Sequence, residues 1–312
     1  MPGAYPPANP TLANELLTIH RLLKTPTYLR RRLRGIPDLR FVADKILVGR
    51  YRSSGGAVMF EQGEPIMNPR PVKAVSPGAE YPRDVTPEGV AALAAVSKWG
   101  QAVSLTDEKL KRSVYMGEEL NRALIKTANT VINKVDKLTT ATVGAAVTQK
   151  VDAAAAWTAA SPMLYRDVER AAAKIVDRNE GFNPDSVLMS TAKYALMISD
   201  PAIATLRRRE TSDNPIYGGD IERIGKYKVH YTSLSNLPAD HVWVYDSTQL
   251  GGMADETEVD PGYATMDNGL QYQTKRIAER DAWDIWARRI TVPIVREPFA
   301  ACYIDGTGSS AL

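Results

Sequence analysis

The side chains able to do chemistry in this 312-residue chain are few and scattered. A single cysteine, Cys302, excludes an intrachain disulfide and any multi-cysteine zinc site. It stands in Phe299-Ala300-Ala301-Cys302-Tyr303-Ile304, an apolar strand-like run, and reads as a small buried hydrophobe rather than a nucleophile. Three histidines, His20, His230 and His241, leave little room for imidazole chemistry. His20 lies beside an apolar helical stripe and reads as a packed or half-exposed side chain. Asp255, Glu256, Glu258 and Asp260 crowd one polar segment, 251–269, but the alternating oxygen ligands and the glycine of a calcium loop are missing. That segment reads as a solvated loop. No glycine-rich phosphate loop ending in Lys-Ser/Thr and no Gly-x-Ser-x-Gly elbow occurs. Gly218, Gly219 and Gly225 do not fit a dinucleotide fingerprint. The expectation is a chain without catalytic, metal or cofactor-binding residues.

Charge is informative through its placement. Net charge is +3, from 39 Lys/Arg and 36 Asp/Glu. Residues 1–52 carry ten Lys/Arg against three Asp/Glu (10 − 3 = +7), and the remaining 260 carry 29 against 33 (29 − 33 = −4). A basic front arm therefore precedes a mildly acidic body. Its densest part holds Arg30, Arg31, Arg32 and Arg34. If it is helical, Leu29, Leu33 and Ile36 share one face and the arginines fan around the rest. Two readings stand: solvated or protein-facing arginines, and contact with DNA phosphates. No groove-reading motif accompanies them, which argues against sequence-specific recognition. A 44% hydrophobic, 24% charged composition is that of a globular protein, and no stretch suits a membrane span. The first ten residues hold four prolines and lack the basic-then-apolar order of a secretory signal.

Spacing then predicts the elements. Leu12, Leu16, Ile19 and Leu23 predict a short helix over 11–24, stopped by Pro26. Residues 53–100 hold six Gly and six Pro, interrupted by Ala57-Val58-Met59-Phe60, Val72-Lys73-Ala74-Val75 and Ala94-Ala95-Val96. Short strands separated by turns predict an extended two-stranded arm, too poor in large apolar groups to make its own core. Over 107–142, Leu110, Val114, Leu124, Ala128, Val131, Val135 and Leu138 step by three or four, or by sums of these. With Thr106 as N-cap and Gly144 as a stop, they predict one helix of about 54 Å. No helix of matching length partners it, so a bundle is excluded and an elongated subunit with one spine remains.

An α/β lobe follows. Ser161-Pro162 predicts a helix start with Leu164, Val168, Ala171, Ile175 and Val176 as its buried stripe. Residues 185–190 predict a strand, 191–198 a helix, and Asp200-Pro201 a further helix ending in Arg207-Arg208-Arg209. Tyr227–Tyr231 alternates like a half-buried strand, and His241–Tyr245 is apolar on both faces like a central one. Residues 270–304 return to strand, with Pro293 pointing to an edge or bulge and 305–310 to a flexible tail.

The order of these parts resembles the major capsid proteins of tailed bacteriophages, those with the Hong Kong 97-type fold. Val75-Ser76-Pro77-Gly78-Ala79-Glu80-Tyr81-Pro82, then Val96-Ser97-Lys98-Trp99-Gly100-Gln101-Ala102-Val103-Ser104-Leu105-Thr106-Asp107-Glu108, is similar to the pair that closes that family's extended loop and opens its spine helix. Pro184–Ser190 with Tyr194-Ala195-Leu196 resembles the first strand and helix of its axial domain. Pro215–Glu222 with Gly225–Val229 resembles the next element, and Trp283–Val295 the closing β-segment, particularly of actinobacterial phages. The resemblance spans residues 40–305.

The resemblance implies an α+β fold. Its parts are a basic N-terminal arm (1–52), an extended loop (53–105), a peripheral domain with the spine helix (106–150 and 270–312) and an α/β axial domain (151–269). It implies hexamers and pentamers of an icosahedral head in the virion, assembled in the bacterial host cytoplasm with portal, scaffolding and decoration proteins around double-stranded DNA. Candidate contact residues are Arg30, Arg31, Arg32 and Arg34 in the arm, facing a neighbour or DNA, and Glu61, Glu64, Arg70 and Lys73 in the loop, facing a neighbour. Some family members link a loop lysine to an asparagine as an isopeptide. Lys73 and Lys98 are in or beside the loop, but residues 269–312 contain no asparagine, so noncovalent assembly is expected. The front segment is too short for a fused scaffolding domain, which implies a separate scaffolding protein. Two other readings are an encapsulin-like nanocompartment shell with the same fold and a DNA-binding protein using Arg30–Arg34.

Overall fold

The computed structural model describes residues 41–112, 116–159, 162–200, 203, 222–233, 236–238, 240–259, 262–266 and 269–308. The helix expected over 11–24, His20, Arg30–Arg34, Asp260 and the helix ending at Arg207–Arg209 lie outside these residues. In chain order the elements are α1 (Ala43–Ile46), β1 (Gly49–Arg52), β2 (Ala57–Gln62), β3 (Val90–Ala95), β4 (Ser97–Thr106), α2 (Asp107–Arg112) and α3 (Met116–Ala146). Then come β5 (Lys150–Asp152), α4 (Leu164–Val176), β6 (Ser186–Ser190), α5 (Thr191–Ser199), β7 (Arg223–Ile224), β8 (Tyr227–Thr232) and β9 (Val242–Tyr245). The chain finishes with β10 (Gly251–Asp255), β11 (Ala264–Thr265), β12 (Gln271–Ile277), β13 (Ala282–Val295) and β14 (Ala301–Asp305).

One six-stranded sheet is built on β13. That strand pairs antiparallel with β4 from Ala282 to Thr291, with β12 from Ala282 to Arg288, and with β10 from Thr291 to Val295. Trp283, Ile285 and Ala287 point to the face covered by α3, where Leu124, Ala128, Val131 and Val135 supply the helical stripe read from the sequence. The start of α2 is where the sequence placed a helix start: Thr106 Oγ1 accepts from Lys109 N at 3.3 Å, and Asp107 receives both guanidinium nitrogens of Arg276 at 2.7 and 2.8 Å. The stop at Gly144 does not occur. Helix α3 runs on to Ala146, because Gly144 keeps a negative φ and its bare face lies beside the Trp243 ring.

The second sheet runs β5-β14-β9-β6-β8-β7. Strand β9 is central and fully buried, as its two apolar faces predict. Alternation sends Val187, Met189, Val242, Val244, Cys302 and Ile304 to the side of α4, and Leu188, Trp243 and Tyr245 to the side of the spine helix. Helix α4 starts at Leu164, two residues later than Ser161-Pro162 suggested, with Met163 at its N-cap. Its stripe ends at Ile175; Val176 is 49% exposed, since it sits about 100° further round a helix that stops there.

Three further expectations are corrected. Residues 251–255 are a buried strand, not part of a solvated loop. Strand β1 lies so close that a Cβ on Gly252 would collide with the Gly49 carbonyl. The tail is packed rather than flexible as far as Gly308: Thr307 is fully buried, its Oγ1 donates to Asp240 O at 2.6 Å, and its carbonyl accepts from Trp157 N at 2.9 Å and Lys193 Nζ at 2.6 Å. Lys193 Nζ also donates to Gly308 O. Val72–Val75 forms no strand; residues 63–89 hold no regular element. Pro293 lies inside the long β13, yet past Thr291 the β4 partner has ended, so its ring faces a locally open edge, as its missing N–H requires.

Candidate assembly surface

Strands β2 and β3 form a hairpin that leaves the first sheet where β4 begins. The segment 97–105, grouped with the loop in the sequence, thus belongs to a sheet strand bonded to β13. Gly55 and Gly56, at φ 98° and 79°, make the entry turn that only glycine enters without strain. The two-stranded ladder is tied down at both ends, by Val96 N to Gly56 O where it leaves the sheet and by Gly63 N to Arg296 O and Gln62 Nε2 to Val295 O at its far end, at 2.9–3.1 Å. The buried Glu297 carboxylate accepts from the Glu64 backbone amide; burial is the largest influence on its pKa and raises it. Beneath the base lies a cavity of about 280 Å³ between Phe60, Ala94, Trp99, Leu138, Ala146 and Pro293.

The face of the ladder turned away from the body meets little of its own chain. Register places Met59 opposite Leu93 and Glu61 opposite Ala91 on one face. Met59 is 78% exposed and Leu93 73%. Val90, Ile66, Met67, Val72, Tyr81 and Val85 are likewise exposed, so among the described residues eight of the fourteen large exposed apolar side chains fall between 57 and 95. Burying such a side chain contributes roughly 1.5–3 kcal/mol, and an apolar concentration of this size marks an interaction surface.

The four loop residues singled out from the sequence are all exposed. Glu61 is on the Met59–Leu93 face and Glu64 just past the hairpin strand. Arg70 is engaged within the loop: its amide donates to Asp84 Oδ2 and its Nη1 to Arg83 O, both at 2.9 Å, closing the tip across fourteen and thirteen residues. Lys73 projects from the tip near Val72, which is 99% exposed.

The structure adds a buried charge cluster where the chain enters the body. Arg289, fully buried, holds Asp255 with Nε and Nη2 at 3.0 and 3.1 Å and Asp44 at 3.2 Å. Arg50 closes the square at 3.0 Å from Asp44 and 3.7 Å from Asp255. Beside it Asp136 of α3 accepts from the Ala43 amide at 2.9 Å at the start of α1. Burial raises the Asp136 carboxyl to about 6 against the pull of the Ala43 and Val42 amides. Asp255 is thus an ion-pair partner, not a solvated acid. Nothing local in the sequence marks this cluster, because Asp44 and Arg289 are 245 residues apart.

The expected chemistry-bearing residues are not brought together. Cys302 is buried and burial pushes its thiol up to about 11. His230 is lowered to about 4, by burial first and Lys45 next, so it is neutral near pH 7. Among the described residues no group of three or more His, Cys, Asp or Glu is placed to hold a metal ion, and no helix is long and apolar enough to cross a membrane.

A sequence model described as "phage capsid protein" matches residues 89–304, more than two thirds of the chain. The chain belongs to this phage capsid protein family. No curated protein matches it in sequence. Solved structures agree with the capsid assignment in fold. The capsid of cyanophage P-SCSP1u superposes with a TM-score of 0.60 at 13% identity, over 82% of this chain and 85% of that one. A phage-related protein of Bordetella bronchiseptica RB50 gives 0.56 at 14% identity, over 91% and 97%. A virus-like particle from Pyrococcus furiosus gives 0.54 at 10% identity, over 88% and 96%. The mixed helix-and-sheet architecture is therefore that of capsid subunits. A capsid protein has a structural role in the virion and works through its surfaces. The exposed hairpin is the candidate surface for such a role.

Proposed function

We propose that this chain is the major capsid protein of a tailed bacteriophage, with Hong Kong 97-type tiling into hexamers and pentamers of an icosahedral head around double-stranded DNA. The observation that carries the proposal is the hairpin: tied down at both ends of its ladder, exposed and apolar on its outer face and unable to bury that face on its own chain. Heterologous contacts that close by rotation make rings, and rings tiled on a closed surface make a shell. In this reading residues 1–52 and 53–105 reach to neighbours, with Glu61, Glu64, Arg70 and Lys73 near the contact and Arg30–Arg34 facing a neighbour or DNA. Segments 106–150 and 270–312 make the peripheral body and 151–269 the axial one. Assembly in the host cytoplasm would involve a separate scaffolding protein, a portal and decoration proteins. The joints are noncovalent, since 269–312 offers no asparagine to Lys73 or Lys98.

Negative-stain electron microscopy of the expressed protein, with and without neighbouring phage genes, tests this. DNA-filled heads, and a single monomer band after boiling in detergent, are expected. Small shells filled with a protein cargo would favour a nanocompartment. A solitary soluble subunit that binds DNA with steep salt dependence would favour the basic arm as a DNA-binding device.

A further inference from the structure

The exposed face of α3 has an unusual charge content. From Arg122 to Gln149 the sequence holds Arg122, Lys126, Lys134 and Lys137, and its one acid is Asp136. The structure turns all four bases outward and Asp136 inward, where it is 4% exposed and caps α1. Between the bases the outward positions are the uncharged Asn129, Thr130 and Asn133. At about 1.5 Å per residue the fifteen-residue step from Arg122 to Lys137 makes a basic strip roughly 22 Å long. Among the described residues no carboxylate pairs with Lys126, Lys134 or Lys137, and Lys134 stands over the Trp99 ring at 4.7 Å.

Other basic strips on the body differ. On α4, Arg166, Arg170 and Lys174 also recur every four residues, but Arg170 donates to Asp152 O and lies 3.8 Å from Asp167, and Lys174 donates to Lys150 O. Glu169 lies between them and Asp177 follows directly after the helix. The face of the first sheet turned away from α3 mixes signs, with Lys275 in register with Asp284. Among the described residues, the peripheral body thus has one side whose exposed α3 positions from Lys126 to Lys137 are basic or uncharged and another that is mixed. The chain enters the body beside the basic side, at Phe41 to Ile46, and residues 1–40 before it carry seven Lys/Arg against two Asp/Glu.

We infer that this face of α3 is the inner, DNA-contacting surface of the subunit, with Arg122, Lys126, Lys134 and Lys137 neutralising backbone phosphates without reading bases. The inference rests on the capsid reading and adds which side of the subunit faces the genome. A strip of fixed positive charge on a rigid helix suits the phosphate line of a duplex, and its contribution to binding is released counterions.

The test is binding of a short DNA duplex by full-length, unassembled protein across a salt series. Each lost phosphate contact lowers the salt slope by about 0.9, so Arg122→Gln/Lys126→Gln/Lys137→Gln lowers it by about 2.7. Between about 50 and 200 mM salt, wild type then loses about 40-fold more affinity than the variant. The control is Arg166→Gln/Arg170→Gln/Lys174→Gln on α4, the same change of net charge across the second sheet, and it leaves the slope within about one contact of wild type. Equal slopes for wild type and the α3 variant, or an equal loss in the α4 control, overturn the inference. Binding to polyglutamate in preference to the duplex, lost in the α3 variant, also overturns it and assigns the face to an acidic protein. Shell formation by wild type in the electron microscope decides the capsid reading separately, so the two fail independently.

Discussion

Replacing Asp136 by Asn should stabilise the folded subunit at neutral pH. The carboxyl is raised from 3.8 to about 6, chiefly by burial. Because the folded value lies above the unfolded one, the fold favours the protonated form. Its contribution is full below about pH 4, falls as pH rises toward 6, and is constant above. At 1.36 kcal/mol per pH unit, (6 − 3.8) × 1.36 gives about 3 kcal/mol of cost at pH 8, roughly half that at pH 5 and about 0.5 kcal/mol at pH 4. Asparagine keeps an oxygen for the Ala43 amide and carries no charge. Asp136→Asn should therefore exceed wild type by up to about 3 kcal/mol in urea denaturation at pH 8, with the gap closing toward pH 4. Comparison at each pH cancels the other titrating groups. Asp136→Ala, which removes the acceptor, should lose about 1–3 kcal/mol of the same gain at every pH. A variant less stable than wild type at pH 8, or a difference that does not change with pH, would refute the reasoning.

Three further outcomes follow from the same contacts. Arg289→Met leaves two half-buried carboxylates, Asp44 and Asp255, with Arg50 as their remaining cation, so urea denaturation of the unassembled subunit should show a loss of about 3 kcal/mol. Met59→Glu with Leu93→Glu alters only exposed side chains, and should change subunit stability by no more than about 0.5 kcal/mol while abolishing shells in the electron microscope. Lys193→Met removes the ammonium donor from the Gly308 carbonyl and leaves the Thr307 carbonyl with the Trp157 amide alone, and should cost about 1–3 kcal/mol while speeding proteolysis of the C-terminal segment.

What the sequence disclosed is what repeats locally. Helix α3 was legible because an apolar step of three or four persists from Leu124 to Leu138, and the start of α2 because Thr106 precedes Asp107 and Glu108; residues 113–115 between them lie outside the described residues. Strand β9 was legible because His241–Tyr245 is apolar at every second residue on both faces. The hairpin's first strand was legible, and its second strand was placed four residues late because Val90–Leu93 reads as helix as readily as strand. Long-range pairings left no local trace. Asp255 looked solvated among acidic neighbours, and only the fold sets it against Arg289. Thr307 looked like tail, and only the position of Lys193 shows it packed. The assembly surface was half legible: a Gly- and Pro-rich stretch signalled an arm, but which of its side chains lie exposed depends on the β2–β3 register.

The most direct test of the account is hydroxyl-radical footprinting of Met59, Met67 and Tyr81 in unassembled and assembled protein. These side chains are open in the lone subunit, with Met59 and Tyr81 each 78% exposed. The account predicts rapid oxidation before assembly and strong protection of Met59 afterwards, as neighbouring copies cover the hairpin. Equal oxidation in both states, or protection already complete in a lone subunit at micromolar concentration, would contradict it.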